Sequence, residues 1–187
     1  NVAVGRDALY NNGASSYNTA VGNGTLRSNS GSSANANSAF GYTALYTNST
    51  GAGNSAFGYQ ALFGNTAGVD NNAFGYFALG TNTTGGYNIA FGNYALGLNQ
   101  GGSGNVAIGE SALYATVGNN YNTAVGYYSM YSNTNGNYNV AIGANALNPS
   151  SGLPGNGNVA VGYYSLKSST AGQNTAVGAY ALQLNTT

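Results

Sequence analysis

The nine residues Asn105–Leu113 read NVAIGESAL, and variants of this phrase decide the fold because they recur eleven times along the 187-residue chain. Each copy has Asn first, Ala third, Val, Ile or Phe fourth, Gly fifth, a small residue eighth and Leu or Met ninth. We number the repeat positions from this Asn. Most copies begin 17 residues apart, with two spacings of 19 and one of 16. A short, constant period predicts a solenoid in which each repeat forms one turn, called a rung below.

The local pattern predicts extended structure within each rung. Positions 2 to 4 alternate around Ala, which is the period of a strand. Glycine in the middle of every phrase disfavours a helix and suits a corner with positive φ or a close backbone approach. We expect positions 6 to 9 to form a second short strand with Leu pointing inward. The corner glycines are Gly5, Gly22, Gly41, Gly58, Gly75, Gly92, Gly109, Gly126, Gly143, Gly162 and Gly178.

Stacking these rungs predicts an all-β fold, a parallel β-roll or β-helix solenoid of eleven rungs of about 17 residues. At about 4.8 Å per rung the rod would be roughly 53 Å long. Equal positions then form ladders: Leu at position 9 as the core spine, Phe at position 4 in consecutive rungs, and hydrogen-bonded Asn at positions 1 and 12. The ladder residues that we single out are Leu62, Leu79, Leu96, Phe57, Phe74 and Phe91.

Length changes avoid the repeated phrase. Residues 27–36 and 148–157 form segments two residues longer than usual, and segment 167–173 is one residue shorter. A core that stacks in register tolerates insertions only in loops on its outside. We therefore expect the segment after each Leu to be an outer loop.

The repeated phrase resembles a known family. Val-Ala-Ile-Gly at 106–109 and 140–143, each preceded by Asn, is similar to the head repeat of trimeric autotransporter adhesins of the YadA type. Asn-Val-Ala-Val-Gly at 1–5 and 158–162 is a near variant, and similar repeats occur in phage tail fibre proteins. The resemblance implies a left-handed roll and a homotrimer. This chain departs from the family in its longer period, in one residue fewer between Asn and the apolar pair, and in having no heptad stalk or membrane anchor.

Position 3 suggests self-association. Its side chain points away from those of positions 2 and 4, yet it is Ala in all eleven copies. We expect a close approach of another chain at this face, with Ala73 and Ala90 as interface contacts. The alternative is that these alanines pack against a loop segment of their own chain.

The composition excludes several kinds of function. Charged residues make up 3% of the chain, the net charge is zero, and there is no Cys or His. We therefore expect no nucleic-acid partner, no membrane span within this segment, no metal or cofactor, and no enzymatic activity. The chain opens inside a repeat without a signal peptide, so we interpret residues 1–187 as a single repeat array within a longer exported fibrous protein.

Tyrosines are the best candidates for ligand or interface contacts. An exposed ring with a hydroxyl suits sugar stacking or protein contact, and the alternative is stacking between rungs that stiffens the rod. Those at position 6 are Tyr42, Tyr59, Tyr76, Tyr127 and Tyr163.

The sequence is compatible with three functions. The first is a structural or adhesive fibre segment, extracellular on a cell or virion surface, which binds copies of itself and a surface glycan or extracellular protein. The second is a phage tail fibre or tailspike shaft that binds glycans. The third is an ice-binding solenoid. We rank it last because ice binding needs a regular Thr array, and position 2 mixes Val, Thr, Ser, Asn and Ile.

Overall fold

The protein is a parallel β-solenoid. The structure, a computed structural model, describes residues 1–149, 155–169 and 171–185, and that part of the chain is all β without a helix. Eleven three-residue strands, each at repeat positions 2 to 4, pair in parallel in chain order within one sheet. This confirms the predicted fold class and rung length. The strands are β1 Val2–Val4, β2 Thr19–Val21, β3 Ser38–Phe40, β4 Ser55–Phe57, β5 Asn72–Phe74, β6 Ile89–Phe91, β7 Val106–Ile108, β8 Thr123–Val125, β9 Val140–Ile142, β10 Val159–Val161 and β11 Thr175–Val177.

Every strand pairs in register with its neighbours, so that equal repeat positions face one another. Ala20 pairs with Ala39 although β2 and β3 are separated by a longer segment. The additional residues there are accommodated at the surface, where Ser32 and Ser33 are exposed. This confirms the outer position of the additional residues, whereas Asn29 and Ala34 of the same segment are fully buried. In the second longer segment, residues 150–154 lie outside the described residues.

The corner glycines meet both requirements predicted for them. Their φ angles lie between 122° and 141°, a region that L-residues rarely adopt. A Cβ atom added to Gly92 would lie 2.6 Å from the carbonyl oxygen of Gly109 in the next rung. Glycine is therefore needed for the backbone conformation and also for the close approach of successive corners.

Positions 6 to 9 form a turn, so the second strand predicted there was wrong. Residues 7 and 9 of each repeat are left-handed; Tyr94 has φ 58° and Leu96 has φ 51°. Their N–H groups point to opposite neighbours: Tyr94 donates to the Tyr76 carbonyl at 2.8 Å and Leu96 to the Ala112 carbonyl at 3.0 Å. Each left-handed residue costs about 1–2 kcal/mol, which these bonds and the burial of Leu96 offset. The turn brings Leu inward as predicted, whereas a strand would carry the chain away from the core.

The core contains small residues around one leucine per rung. Ala90 at position 3, Ala95 at position 8 and Leu96 at position 9 are all 0% exposed within the single chain. Position 3 thus faces inward, and the prediction that Ala73 and Ala90 form an interface with another chain was wrong. The position 3 methyl groups of β2–β11 pack in one core cluster with the position 8 and position 9 side chains. The Phe side chains at position 4 consequently lie on the outside of the sheet.

Buried asparagine ladders border this core, as predicted. The Oδ1 atom of Asn71 accepts hydrogen bonds from the backbone N–H of Asn88 at 3.1 Å and from its Nδ2 at 3.0 Å. In the second ladder, Asn82 Nδ2 donates to Asn65 Oδ1 at 2.8 Å. Asn71 and Asn82 also donate to the Gly85 carbonyl, at 2.8 and 2.9 Å. In the second to sixth repeats and in the eighth, two buried amides therefore share one backbone acceptor.

Candidate binding surfaces

The first candidate surface is the outer sheet face, formed by the side chains of positions 2 and 4 in β1–β11. It contains no charged residue, and position 4 is always Val, Ile or Phe. The rings of Phe40, Phe57, Phe74 and Phe91 stack in order, with centroids 4.7, 4.8 and 5.3 Å apart. Phe91 remains 56% exposed. Exposed apolar patches are common at interaction sites, so the position 4 column of this face is a candidate binding surface.

Three of the predicted position 6 tyrosines form a ladder beside the corner. The rings of Tyr42 and Tyr59 are 5.3 Å apart and those of Tyr59 and Tyr76 are 5.0 Å apart, nearly parallel in both pairs. All three are 42–51% exposed. Stacking between rungs therefore occurs here, and it leaves the ring edges and hydroxyls accessible.

The other two position 6 tyrosines lie apart from that ladder. Tyr127 packs against Tyr128 with centroids 4.4 Å apart, and Tyr163 packs against Tyr164 at 4.3 Å. Both are about half exposed. The five predicted tyrosines thus share one side of the rod without forming a single site.

A second aromatic column combines positions 7 and 10. Where position 10 is Gly80 or Gly97, position 7 of the same repeat is Phe77 or Tyr94. The Phe77 ring occupies the space above Gly80, since a Cβ atom there would lie 2.5 Å from ring carbons. Where position 10 carries a ring, as in Tyr114, position 7 is usually small. The sequence contains this compensation, but it becomes visible only when positions 7 and 10 are compared with each other.

The column is interrupted by a groove at the seventh repeat. Position 7 there is Ser111, whereas the repeats on either side have Tyr94 and Tyr128. The resulting hollow of about 270 Å³ is lined by these three residues with Tyr114 and Tyr131. Tyr114 and Tyr128 both stack on Tyr131, at 5.2 and 4.7 Å, and Tyr94 stands edge-on to Tyr114 at 6.2 Å. Sequence analysis missed this groove.

Cations extend the aromatic columns. The Arg27 guanidinium carbon lies 5.1 Å from the Tyr10 centroid and 5.7 Å from the Tyr46 centroid. The Lys167 ammonium is 4.3 Å from the Tyr164 centroid. Such contacts stabilise by about 0.5–1 kcal/mol at exposed sites. These cations therefore pack on rings and do not converge on an anion site.

The position 6 tyrosines Tyr76 and Tyr127 have hydroxyls whose pKa is raised. A hydrogen bond with Tyr94 raises the pKa of Tyr76. Partial burial raises the pKa of Tyr127, and the neighbouring Tyr128 hydroxyl and Glu110 carboxylate add to the effect. Each of these hydroxyls can therefore donate a hydrogen bond to a ligand.

The acidic residues do not form a reactive pair. Asp7, Asp70 and Glu110 lie in the first, fourth and seventh repeats, so that any two are at least three rungs, or roughly 14 Å, apart. Paired carboxylates that hydrolyse glycosides lie about 5–9.5 Å apart. Among the described residues, no three His, Cys, Asp or Glu side chains cluster as metal ligands. The same part of the chain contains no helix with the length and apolarity to cross a membrane.

No protein family, curated protein or solved structure matches this chain. The resemblance to YadA-type head repeats therefore stays an interpretation of the repeated phrase.

Proposed function

We propose that this chain is a structural and adhesive segment of an extracellular fibre on a cell or virion surface, and that it binds further copies of itself through the outer sheet face. The observation that carries the proposal is the apolar, uncharged stripe along eleven strands in unbroken register. Ten steps of about 4.8 Å make this stripe roughly 48 Å long. A rigid rod with one continuous apolar side is suited to assembly into a fibre.

The length of the outer sheet face supports an interface. Three residues per strand span about 10 Å, so the whole face covers roughly 480 Å². Its apolar part is the position 4 column, because position 2 is Thr, Ser or Asn in six of the eleven strands. In a trimer, as the YadA resemblance implies, each chain would bury this side against two neighbours.

The periodicity of the stripe favours a second copy as the occupant. Its Phe rings repeat every 4.7–5.3 Å along the rod. Another copy of the chain presents the same repeat, so that side chains can interdigitate at every rung as in a dry sheet-to-sheet contact. With no charge on the face, bringing two copies together meets no ionic repulsion.

Charge placed on the outer sheet face tests the proposal. We expect the parent chain to be oligomeric and the double variant Phe74→Glu, Phe91→Glu to dissociate, because association would bury unpaired carboxylates. The matched control is Thr84→Glu, Gln100→Glu, which adds the same charges to exposed loop residues of the same two repeats. Light scattering after size-exclusion chromatography gives the mass, and circular dichroism monitors the fold. The proposal would be contradicted if the parent chain were monomeric, or if the Phe74→Glu, Phe91→Glu variant kept the parent's mass.

A further inference from the structure

We propose that the groove between Tyr94 and Tyr128 binds one pyranose ring of a neutral glycan. The groove lies on the turn side of the rung, past the glycine corner from the outer sheet face. The proposed sugar binding is therefore independent of whether the rods associate through that face.

The groove has the dimensions of one missing ring. Its Tyr94 and Tyr128 walls originate two rungs apart, about 9.6 Å. Stacked rings in successive rungs of this protein are 4.7–5.8 Å apart. The separation of the two walls therefore leaves length for one six-membered ring above Ser111. Tyr94 stands edge-on to Tyr114, whereas Tyr128 is nearly parallel to Tyr131 and Tyr131 to Tyr114, so the ring can stack on the face of one wall and meets the other at an angle.

The lining combines ring surfaces with hydroxyls. All five lining residues, Tyr94, Ser111, Tyr114, Tyr128 and Tyr131, carry a hydroxyl group. A pyranose has apolar C–H faces and a rim of hydroxyls, which match ring walls and a polar floor respectively. The five hydroxyls and the sugar rim can exchange donors and acceptors in either direction.

The floor of the groove favours a sugar over an aromatic side chain. Ser111 is only 6% exposed, and its hydroxyl makes no hydrogen bond among those of the described residues. A hydrocarbon ring over it would leave that hydroxyl buried and unpaired, which is unfavourable. A sugar hydroxyl can pair with it.

Charge and size narrow the ligand class. The exposed Glu110 immediately precedes Ser111, and no cationic side chain lines the groove. A carboxylate accepts hydrogen bonds from sugar hydroxyls and disfavours phosphorylated or acidic sugars. The volume of about 270 Å³ lies just below that of pockets for drug-sized ligands, about 300–1,000 Å³. One neutral ring fits, and a nucleotide does not.

Saturation-transfer NMR with methyl glucoside, galactoside and mannoside tests the proposal on the full chain. We expect at least one of them to receive saturation from the protein, with a dissociation constant on the order of 1 mM. The variant Ser111→Tyr should abolish the transfer by filling the groove. Tyrosine is compatible with this position, since Tyr94 and Tyr128 occupy it in the adjacent repeats with φ of 58° and 53°.

The matched control is Thr43→Tyr. It makes the same change at position 7 beside a tyrosine at position 10, Tyr46, four repeats from the groove. This variant should bind as the parent does. Tyr128→Ser, which removes one wall, should weaken binding about three- to tenfold.

Three results would overturn the proposal. They are the absence of transfer to all three pyranosides, parental binding by Ser111→Tyr, and transfer to p-cresol without transfer to any pyranoside. The last would assign the groove to an aromatic side chain of a protein partner. None of these results changes the oligomeric mass. The proposal of sugar binding in the groove and the proposal of association through the outer sheet face are therefore tested independently.

Discussion

At the scale of single residues, the corner glycine satisfies two separable constraints. Gly92 and Gly178 have nearly the same conformation, with φ of 135° and 123°. A Cβ atom at Gly92 would collide with the Gly109 carbonyl at 2.6 Å, whereas at Gly178 the nearest atom, the Ala181 Cβ, is 4.0 Å away. Substituting each glycine in turn therefore separates two causes of destabilisation, the strained backbone conformation and the steric clash with the next rung.

We predict that Gly92→Ala destabilises its rung by about 1–3 kcal/mol more than Gly178→Ala destabilises its own, because only the first forces two backbones apart. Both variants share the strain of an L-residue at positive φ. Amide hydrogen exchange reports local opening at each rung separately, so each variant is compared with the parent at its own site. Equal losses would mean that conformation alone requires glycine here.

At the scale of the ladder, an asparagine inside the array such as Asn71 joins three rungs. Asn71 donates through Nδ2 to Asn54 Oδ1 at 3.1 Å and to the Gly85 carbonyl at 2.8 Å, and its own Oδ1 accepts from Asn88. A buried group that loses its partner costs about 1–3 kcal/mol. An amide serves here because it donates and accepts at once, which no apolar or acidic side chain of this shape does.

Asn71→Asp should make stability depend on pH. Its carboxylate would be buried and would face the oxygens of Asn54 and Gly85, which raises its pKa in the folded state above the ordinary value of about 3.9. The folded state would then hold a proton that the unfolded state releases. The free energy of unfolding of Asn71→Asp should be closest to that of the parent below about pH 4. It should fall further below the parent's value as pH rises through the folded-state pKa.

Melting temperatures of Asn71→Asp and the parent at pH 3 and pH 7 measure this effect. The control is Asn23→Asp, whose side chain is exposed and should show little difference between the two pH values. A gap between Asn71→Asp and the parent that is the same at both pH values would contradict a buried, shifted carboxyl group.

At the scale of the whole molecule, the strands contact one another only between successive rungs in the part of the chain that the structure describes. Each strand pairs with the strands before and after it, in the order β1 to β11. Stability in such an array is approximately a sum of rung and neighbour terms. The fold therefore depends on the phase of the repeat more than on the number of rungs.

Deletion of residues 88–104 should leave a folded, shorter rod. This removes one complete repeat and joins Tyr87 to Asn105, which restores the order of repeat positions. We expect parental circular dichroism and a rod shorter by about 4.8 Å in small-angle scattering. Deletion of residues 88–96 removes about half a repeat, puts the two halves out of phase, and should lose cooperative unfolding. A misfolded whole-repeat deletion would contradict the neighbour-only description.

Sequence alone determined the periodic features of this protein. The spacing of Asn71, Asn88 and Asn105 set the rung length, and in-register stacking of equal residues followed because each rung can pair only with a near copy of itself. The glycine corners and the asparagine ladders were predictable for the same reason. Each requires a residue type with a unique capacity, either positive φ or a side-chain amide.

Only the tertiary structure decided which side of the strand is inside. Alternation separates Ala90 from Ile89 and Phe91 but does not choose between the two faces; the choice depends on the core cluster, in which the position 3 methyl groups pack with Leu96 and the other position 9 side chains. The left-handed turn at Tyr94 and Leu96 had no propensity signal, because such residues avoid positive φ unless hydrogen bonds to both neighbouring rungs hold them there. The groove above Ser111 likewise depends on the directions in which the surrounding rings lean, and these are set by packing between rungs.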